Sequence, residues 1–333
     1  MSFLIYLDQN TLSNLRQRKI DEMKVDEYIK LKLVLKLDDV IPIYSFVTLQ
    51  EISQIKSEDY KKEHINLLSE INAAYIEPNT HKLANIHPEV IWESFLKIQK
   101  ENLELGIDSV LSSAELFSRK ISGIQVGESF EDINNGLNDS LNNMLELAFT
   151  QLASVDLSSL PEEARKALID FQLSFNALHI NPLQVQSPKI EDNEQLGPQP
   201  FRNMNEIKAL DILNADVNEV VKKIETVFQN KNSTFNLNDF FDKTPESDVA
   251  RAYCLMNWAG YYPDDFTKIT RGKDRFKSSQ NDMLHVIAAL GADFLISDDT
   301  RFCKKARACF AYSGFNTITC STKDFIETYC KFE

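Results

Sequence analysis

Four acidic residues stand beside apolar segments of the chain, at Asp8, Glu51, Asp282 and Asp299. Asp8 ends the segment FLIYLD and Asp299 follows the segment DFLIS, and continuous apolar runs of this length are typical of buried parallel strands. Ligands of parallel sheets collect at the carboxyl ends of the strands. We therefore expect Asp8 and Asp299 to meet at one edge of a sheet, although nearly the whole chain separates them.

Carboxylates brought together in this way repel one another and raise one another's pKa, which is costly unless a proton or a cation intervenes. A hard divalent cation removes the repulsion. Mg²⁺ and Mn²⁺ prefer oxygen ligands in octahedral geometry, and a few carboxylates are commonly completed by waters and a substrate phosphate. The four acids therefore predict a site for Mg²⁺ or Mn²⁺.

Each acid also has a structural explanation, which the sequence leaves open. Asp8 could cap the helix that follows its strand. Glu51 ends the segment TLQE, which has the pattern of a capping box at a helix that begins at Thr48. Asp282 precedes the amphipathic segment MLHVIAAL and could lie in a first helical turn, where the helix dipole favours a carboxylate. Three nearby residues are available as caps for that helix: Ser278, Ser279 and Asn281.

Alternating strand and helix patterns occupy both ends of the chain. Strands are predicted at residues 3–8, 41–46, 73–78, 293–299 and 316–321, and helices at 247–262, 278–291 and 300–314. This alternation predicts an α/β fold, a three-layer α/β/α sandwich with a mostly parallel sheet. The sheet domain is predicted to be discontinuous, comprising residues 1–78 and 246–333.

Residues 79–245 have helical periodicity and almost no strand signal, which predicts an all-helical insertion. Four prolines and a polar bias between residues 181 and 205 predict a long exposed loop inside it. The insertion carries no recognisable chemistry of its own. Its size suggests a lid, a surface for a second copy of the chain or a dock for a regulatory protein.

Four segments together resemble the PIN-domain (PilT N-terminal) nucleases: YLDQN, TLQEI, NDMLHVIAAL and LISDDTRF. The resemblance implies a small α/β/α sandwich and makes Asp8, Glu51, Asp282 and Asp299 both the catalytic acids and the metal ligands. It also implies three auxiliary residues. These are Asn10, two residues after the first acid, Ser297, in the hydroxyl position before the last acid, and Asp298, a neighbouring ligand. The long separation of Glu51 from Asp282 departs from the compact family core.

The resemblance implies a divalent-metal-dependent endonuclease that hydrolyses phosphodiester bonds, with RNA favoured over single-stranded DNA. Many proteins of this type resemble toxins or defence effectors that a partner holds silent. The alternative is a catalytically silent PIN-like scaffold or an RNA-binding subunit of a larger complex. An aspartyl-phosphate phosphatase is disfavoured, because that chemistry needs a second Asp where this chain has Asn10.

A nuclease needs a basic path for the nucleic-acid backbone. A first basic group precedes Asp282 and comprises Lys268, Arg271, Lys273, Arg275 and Lys277. A second group starts just after Asp299 and comprises Arg301, Lys304, Lys305 and Arg307. We expect the first group and Arg301 to bind nucleic acid.

The composition limits the remaining possibilities. The net charge of −14 argues against a protein that coats nucleic acid with a broad basic surface. Five cysteines without a CxxC pair argue against a disulfide framework or a zinc knuckle and favour reduced thiols. No apolar run approaches the length of a membrane span. We therefore expect a cytoplasmic protein without membrane contacts.

Overall fold

The computed structural model describes residues 2–23, 25–78, 80–154, 161–180, 197–229, 242–264 and 274–329. The chain forms two compact units. The first comprises Met1–Phe95 and Pro198–Glu333, and the second comprises Leu96–Gly197. The predicted insertion, residues 79–245, therefore begins before the second unit and ends after it.

The first unit contains a six-stranded sheet in the order β4-β3-β2-β1-β5-β6. Its strands are β1 Phe3–Leu7, β2 Val40–Tyr44, β3 Ala74–Ile76, β4 Leu83–Ala84, β5 Phe294–Ile296 and β6 Ile318–Cys320. All neighbouring strands pair in parallel except β3 and β4, which are antiparallel. The predicted α/β class and mostly parallel sheet are confirmed. The antiparallel strand β4 lies inside the segment predicted to be all-helical.

Thirteen helices of the described chain lie wholly or partly in this unit. They are α1 Gln9–Asn14, α2 Gln17–Met23, α3 Asp26–Val34, α4 Phe46–Ser53, α5 Glu58–Glu70, α6 Pro88–Glu104, α10 Pro198–Arg202, α11 Asn205–Ala209, α12 Val220–Gln229, α13 Pro245–Ala259, α14 Arg275–Ala288, α15 Thr300–Ser313 and α16 Thr322–Tyr329. Helix α10 replaces the end of the loop predicted at 181–205, because Pro198 is tolerated in a first helical turn. Residues 181–196 of that loop lie outside the described residues.

Both faces of the central strands are buried, because successive side chains of a strand point to opposite faces. Ile5 and Ile296 join a core cluster with residues of α3, α5 and α16. Tyr6 and Leu295 point to the other face and are fully buried, and the hydroxyl group of Tyr6 contacts α4 and α14. Helices therefore cover the sheet on both sides, which accounts for its continuous apolar strands.

Two helices begin earlier than the sequence predicts. Helix α4 begins at Phe46 and not at Thr48, with Ser45 as its N-cap. Helix α14 begins at Arg275 and not at residue 278, because the carboxylate of Asp274 accepts the backbone N–H of Lys277. Because both helices begin earlier, Glu51 of α4 and Asp282 of α14 lie beyond the first turn.

The second unit is helical in its described part. It contains α7 Ile107–Ile121, α8 Phe130–Ala153, α9 Glu162–Ile180 and the end of α6. The rings of Phe117 and Phe130 pack edge to face at 5.7 Å, and the hydroxyl oxygens of Ser109 and Ser140 lie 2.9 Å apart. These contacts hold α7 and α8 together.

Within the described parts of the chain, no helix is both long enough and apolar enough to cross a membrane.

Candidate functional site

Asp8 and Asp299 follow neighbouring strands at the carboxyl edge of the sheet, and one serine hydroxyl group links the carboxylate of Asp8 to the backbone of Asp299. The parallel pairing of β1 with β5 sets Leu7 beside Ile296, so that the residues after both strands are neighbours. Ser297 is fully buried, and its hydroxyl donates to Oδ2 of Asp8 at 2.6 Å. The backbone N–H of Asp299 donates to the same hydroxyl oxygen at 3.1 Å. The two residues therefore share one edge of the sheet, while the contact reaches Asp299 through its backbone and not through its carboxylate.

Both of these acids also act as helix caps. Oδ1 of Asp8 accepts the backbone N–H of Thr11 at 2.7 Å, at the start of α1. Oδ1 of Asp299 accepts the backbone N–H groups of Arg301 and Phe302 at the start of α15. Burial raises the pKa of Asp8, and the hydrogen bonds from Ser297 and Thr11 oppose this rise. The capping explanation for Asp8 is confirmed, and it leaves room for a second role, because a carboxylate offers about four lone-pair positions.

Glu51 has a different environment from the capping box that its sequence suggests. The capping box of α4 is formed by Ser45 and Thr48, and Glu51 lies beyond the first turn. The capping explanation for Glu51 is therefore wrong. Its Oε1 accepts a hydrogen bond from the side-chain amide of Asn281 at 2.8 Å, and its Oε2 lies 3.0 Å from Nε2 of His285. Glu51 thus ties α4 to α14.

His285 connects Glu51 to the first strand. Its Nδ1 lies 2.7 Å from the hydroxyl oxygen of Tyr6, which in turn lies 2.8 Å from the hydroxyl oxygen of Ser45. Burial by itself lowers the pKa of His285, but its contacts with Tyr6 and Glu51 outweigh burial and raise the pKa above its ordinary value. We infer a protonated ring that donates from both nitrogens and forms a buried ion pair with Glu51.

Of the four acids, Asp282 has the carboxylate that is least engaged in hydrogen bonds with the protein. It lies well inside α14, so the first-turn explanation for it is wrong. In the described part of the chain no hydrogen bond reaches its carboxylate, which is partly buried. Burial and the nearby negative charge of Asp264 raise the pKa of Asp282 to about 7, while the charges of Lys305 and His285 oppose the rise. Such a carboxylate is poised to take up a proton or a cation.

The auxiliary residues have separate positions. Ser297 joins the two acids, as described above. Asp298 accepts hydrogen bonds from the hydroxyl of Tyr28 and, at 2.9 and 3.1 Å, from the backbone and side chain of Thr322. Asp298 therefore ties α3 to α16, with both of its oxygens in use. Asn10 is exposed on α1.

A cluster around Lys305 was missed by sequence reasoning. Lys305 belongs to the second basic group, but its side chain is completely buried and pairs with Asp264. An exposed role in nucleic-acid binding is therefore excluded for Lys305. The hydroxyl of Ser279 on α14 also donates to Asp264, at 2.7 Å. No local pattern marks Asp264, because its partners lie 7 to 41 residues away in the sequence.

The basic residues of the predicted nucleic-acid path are only partly described. Arg275 and Lys277 are exposed in the first turn of α14, and Arg301 is exposed in the first turn of α15. Three further members, Lys268, Arg271 and Lys273, lie outside the described residues.

The acids do not form a closed metal cage. Among the described residues, no three side chains of His, Cys, Asp or Glu are grouped so that they could hold a metal ion together. The hydrogen bonds link the carboxylate of Asp8 to the backbone of Asp299, and the carboxylate of Glu51 to the helix that carries Asp282. The four acids as one metal-binding set remain a prediction.

The ion pair of Glu51 with His285 yields a stability prediction. His285 and its hydrogen bonds lower the pKa of Glu51 despite the opposing effect of burial. The pair should therefore stabilise the fold above the ordinary glutamate pKa of 4.5, and the contribution should disappear as the pH falls through the lower folded-state pKa. We expect Glu51→Gln to reduce the free energy of unfolding by about 2 kcal/mol at pH 7.

Urea unfolding of both proteins at pH 7 and at pH 3.5 measures this difference, which should be smaller at the lower pH. Glu58→Gln, at an exposed surface pair, is the matched control and should change little. An unaltered stability of Glu51→Gln at pH 7 contradicts the buried ion pair.

The hydrogen bond from Tyr28 to Asp298 yields a second prediction. Burial and the carboxylate of Asp298 raise the pKa of Tyr28 to about 12, so the phenol stays protonated and donates. Because Asp298 is exposed, we expect Tyr28→Phe to cost only about 1 kcal/mol in thermal unfolding. Tyr329→Phe removes a hydroxyl that has no hydrogen bond within the described residues and serves as control. Equal losses in the two variants would show that Asp298 is not tied to α3.

Comparison of the chain with protein-family models, with curated proteins and with solved structures gives no match. The likeness to PIN-domain nucleases therefore depends on the four segments of its sequence.

Proposed function

We propose that the chain is a PIN-like, divalent-metal-dependent endonuclease that acts on RNA, with a three-layer α/β/α sandwich as its catalytic domain. The observation that carries the proposal is the partly buried carboxylate of Asp282, which has no hydrogen-bond partner in the described chain. Asp282 lies on α14, which His285 connects to Tyr6 of β1 and to Glu51 of α4. Asp8 follows β1, and Ser297 links it to the backbone of Asp299.

The environment of Asp282 supports a cation. Proteins seldom leave a carboxylate partly buried beside a second negative charge unless something compensates for it. The charge of Asp264 acts on Asp282 and raises its pKa. A polar site that offers no donor to a carboxylate suits a positive ion better than a neutral ligand. The donor chemistry at Asp282 therefore fits Mg²⁺ or Mn²⁺.

The other acids fit the same cation to different degrees. Asp299 is exposed, and the recorded hydrogen bonds to its carboxylate all end on Oδ1. Asp8 and Glu51 each use both oxygens in hydrogen bonds within the protein. We therefore expect Asp282 and Asp299 to contact the cation most directly, with Asp8 as a further ligand and Glu51 as the weakest of the four. Mg²⁺ commonly takes only one or two carboxylates and keeps its waters.

The bound cation would activate water and neutralise charge on the phosphate. The protein's own residues contribute by holding the acids in position. Ser297 fixes Asp8 and Asp299 relative to each other through a single hydroxyl group. The contacts of Glu51 with Asn281 and His285 hold α14 beside α4, and so set the position of Asp282. Exposed Arg301, two residues after Asp299, would hold a backbone phosphate near the acids.

A second candidate is a catalytically silent PIN-like scaffold or RNA-binding subunit. The observation that favours it is the absence, in the described part of the chain, of three grouped acidic or imidazole ligands. The hydrogen bonds of Asp8, Glu51 and Asp299 would then be their whole role. A toxin or defence role, with the second unit as dock for a regulatory protein or a second copy, remains a prediction under either candidate.

Asp282→Asn separates the two candidates. We expect the wild-type protein to cleave labelled single-stranded RNA with Mn²⁺ or Mg²⁺ and not with EDTA, and the variant to lose about a hundredfold or more in kcat. Because the change removes a repelled charge, the melting temperature of the metal-free variant should be equal or higher. Asp324→Asn, at an exposed acid of α16, is the matched control.

Calorimetry with Mn²⁺ accompanies the assay, because a silent nuclease could still bind the ion. If wild type and Asp282→Asn are equally active, Asp282 is not a ligand. If the wild type neither cleaves nucleic acid nor binds Mn²⁺, the scaffold is correct.

Arg301→Glu tests the nucleic-acid contact. We expect a several-fold rise in KM for single-stranded RNA, with kcat little changed. The slope of the logarithm of affinity against the logarithm of salt concentration should fall by about 0.7, the value for one contact to single-stranded phosphate. Lys323→Glu, on exposed α16, should leave both quantities as they are. An unchanged salt dependence in Arg301→Glu excludes the contact.

A further inference from the structure

Lys305 on α15 carries an ammonium group with no exposure to solvent. It donates to Asp264 and, at 2.7 Å, to the hydroxyl oxygen of Tyr253, and it lies 4.1 Å from the centre of the Tyr253 ring. A buried ammonium is costly even when it is paired, and an apolar residue of similar volume often serves packing as well or better. The presence of Lys305 here therefore calls for a role beyond packing.

One carboxylate oxygen of Asp264 accepts hydrogen bonds from side chains of three helices. Its Oδ2 accepts from Lys305 on α15, from Ser279 on α14 at 2.7 Å, and from Tyr253 and Asn257 on α13 at 3.2 and 3.3 Å. Its backbone N–H also donates to Oδ1 of Asn257 at 3.0 Å. In the described chain, no hydrogen bond reaches the second carboxylate oxygen, and the side chain is 20% exposed.

The contact with α14 falls on the face that carries Asp282. Ser279 and Asp282 are three residues apart, and residues at this spacing are neighbours on a helix surface. The charges of both Asp264 and Lys305 act on Asp282. The helix is therefore held on this side by Asp264, and on the side of Glu51 by Asn281 and His285.

We propose that Asp264 and Lys305 form a positioning pair for the nuclease site, in which Lys305 fixes Asp264 and Asp264 fixes the Asp282 face of α14 through Ser279. The inference rests on the proposed function. Lys305 cannot touch a substrate, because it has no access to solvent. The pair acts on the reaction only through Asp282.

Ser279→Ala tests the proposal with the smallest change. It removes the hydroxyl that joins Asp264 to α14 and leaves the ion pair intact. We expect kcat for single-stranded RNA to fall about tenfold, since misplacing a reacting group by a fraction of an ångström to one ångström has effects of this size or larger. KM should be unchanged, and the Mn²⁺ concentration for half-maximal rate should rise. Ser278→Ala, an exposed serine one residue away, is the matched control.

The double variant Asp264→Leu/Lys305→Met separates positioning from stability. Removing both charges leaves no unpaired buried ion, so the double variant should melt closer to the wild type than Lys305→Met alone. We expect its kcat to remain reduced about tenfold or more, because the anchor of α14 is lost while folding is restored. Lys305→Arg, which keeps the charge, should retain more activity than Lys305→Met.

The outcomes distinguish the inference from the function on which it rests. If the wild type is active and Ser279→Ala and the folded double variant are equally active, the positioning pair is overturned and the nuclease stands. If activity follows melting temperature alone across the set, the pair is structural and the inference is wrong. If the wild type neither cleaves RNA nor binds Mn²⁺, the proposed function fails and the inference fails with it.

Discussion

The imidazole of His285 holds α14 to β1 through Tyr6 and to α4 through Glu51. Its ring is almost completely inaccessible, at 2% exposure, so neither contact can be replaced by water. Both nitrogens are used, and the raised pKa of His285 favours a ring with two protons opposite an ionised Glu51. The position of α14, and with it the position of Asp282, depends on this buried pair.

Most buried charged groups of the first unit have a partner of opposite charge or accept hydrogen bonds. Glu51 is opposite His285, Lys305 is opposite Asp264, and Asp8 receives two hydrogen bonds. Asp282 lacks comparable donors among the described residues. Buried charged and polar groups of folded proteins usually have suitable partners, and exceptions concentrate at functional or strained sites. This contrast, more than the number of acids, distinguishes Asp282 from an ordinary surface carboxylate.

The sequence predicts the strands β1, β2 and β5 well, because burial on both faces gives them continuous apolar runs. It cannot predict β4, which has two residues and pairs only with the edge strand β3. The start of α14 was missed because several cap residues precede it and local pattern does not choose among them. The partners of Asp264 and Glu51 were missed for a different reason. Each contact joins segments that only the tertiary fold brings together, and no local signal records such a pairing.

The pairing of β1 with β5 has a consequence for the order of synthesis and folding. The residues that it joins, such as Leu7 and Ile296, are separated by most of the chain, so the loop-closure entropy must be overcome before the contact contributes. A growing chain that has reached Gly291 already contains Asp8, Glu51 and Asp282, yet it lacks β5, one of the two neighbours of β1, and Ser297, which links Asp8 to Asp299. A translation product that stops before β5 therefore cannot assemble this end of the sheet, and any activity located there begins only after β5 has paired with β1.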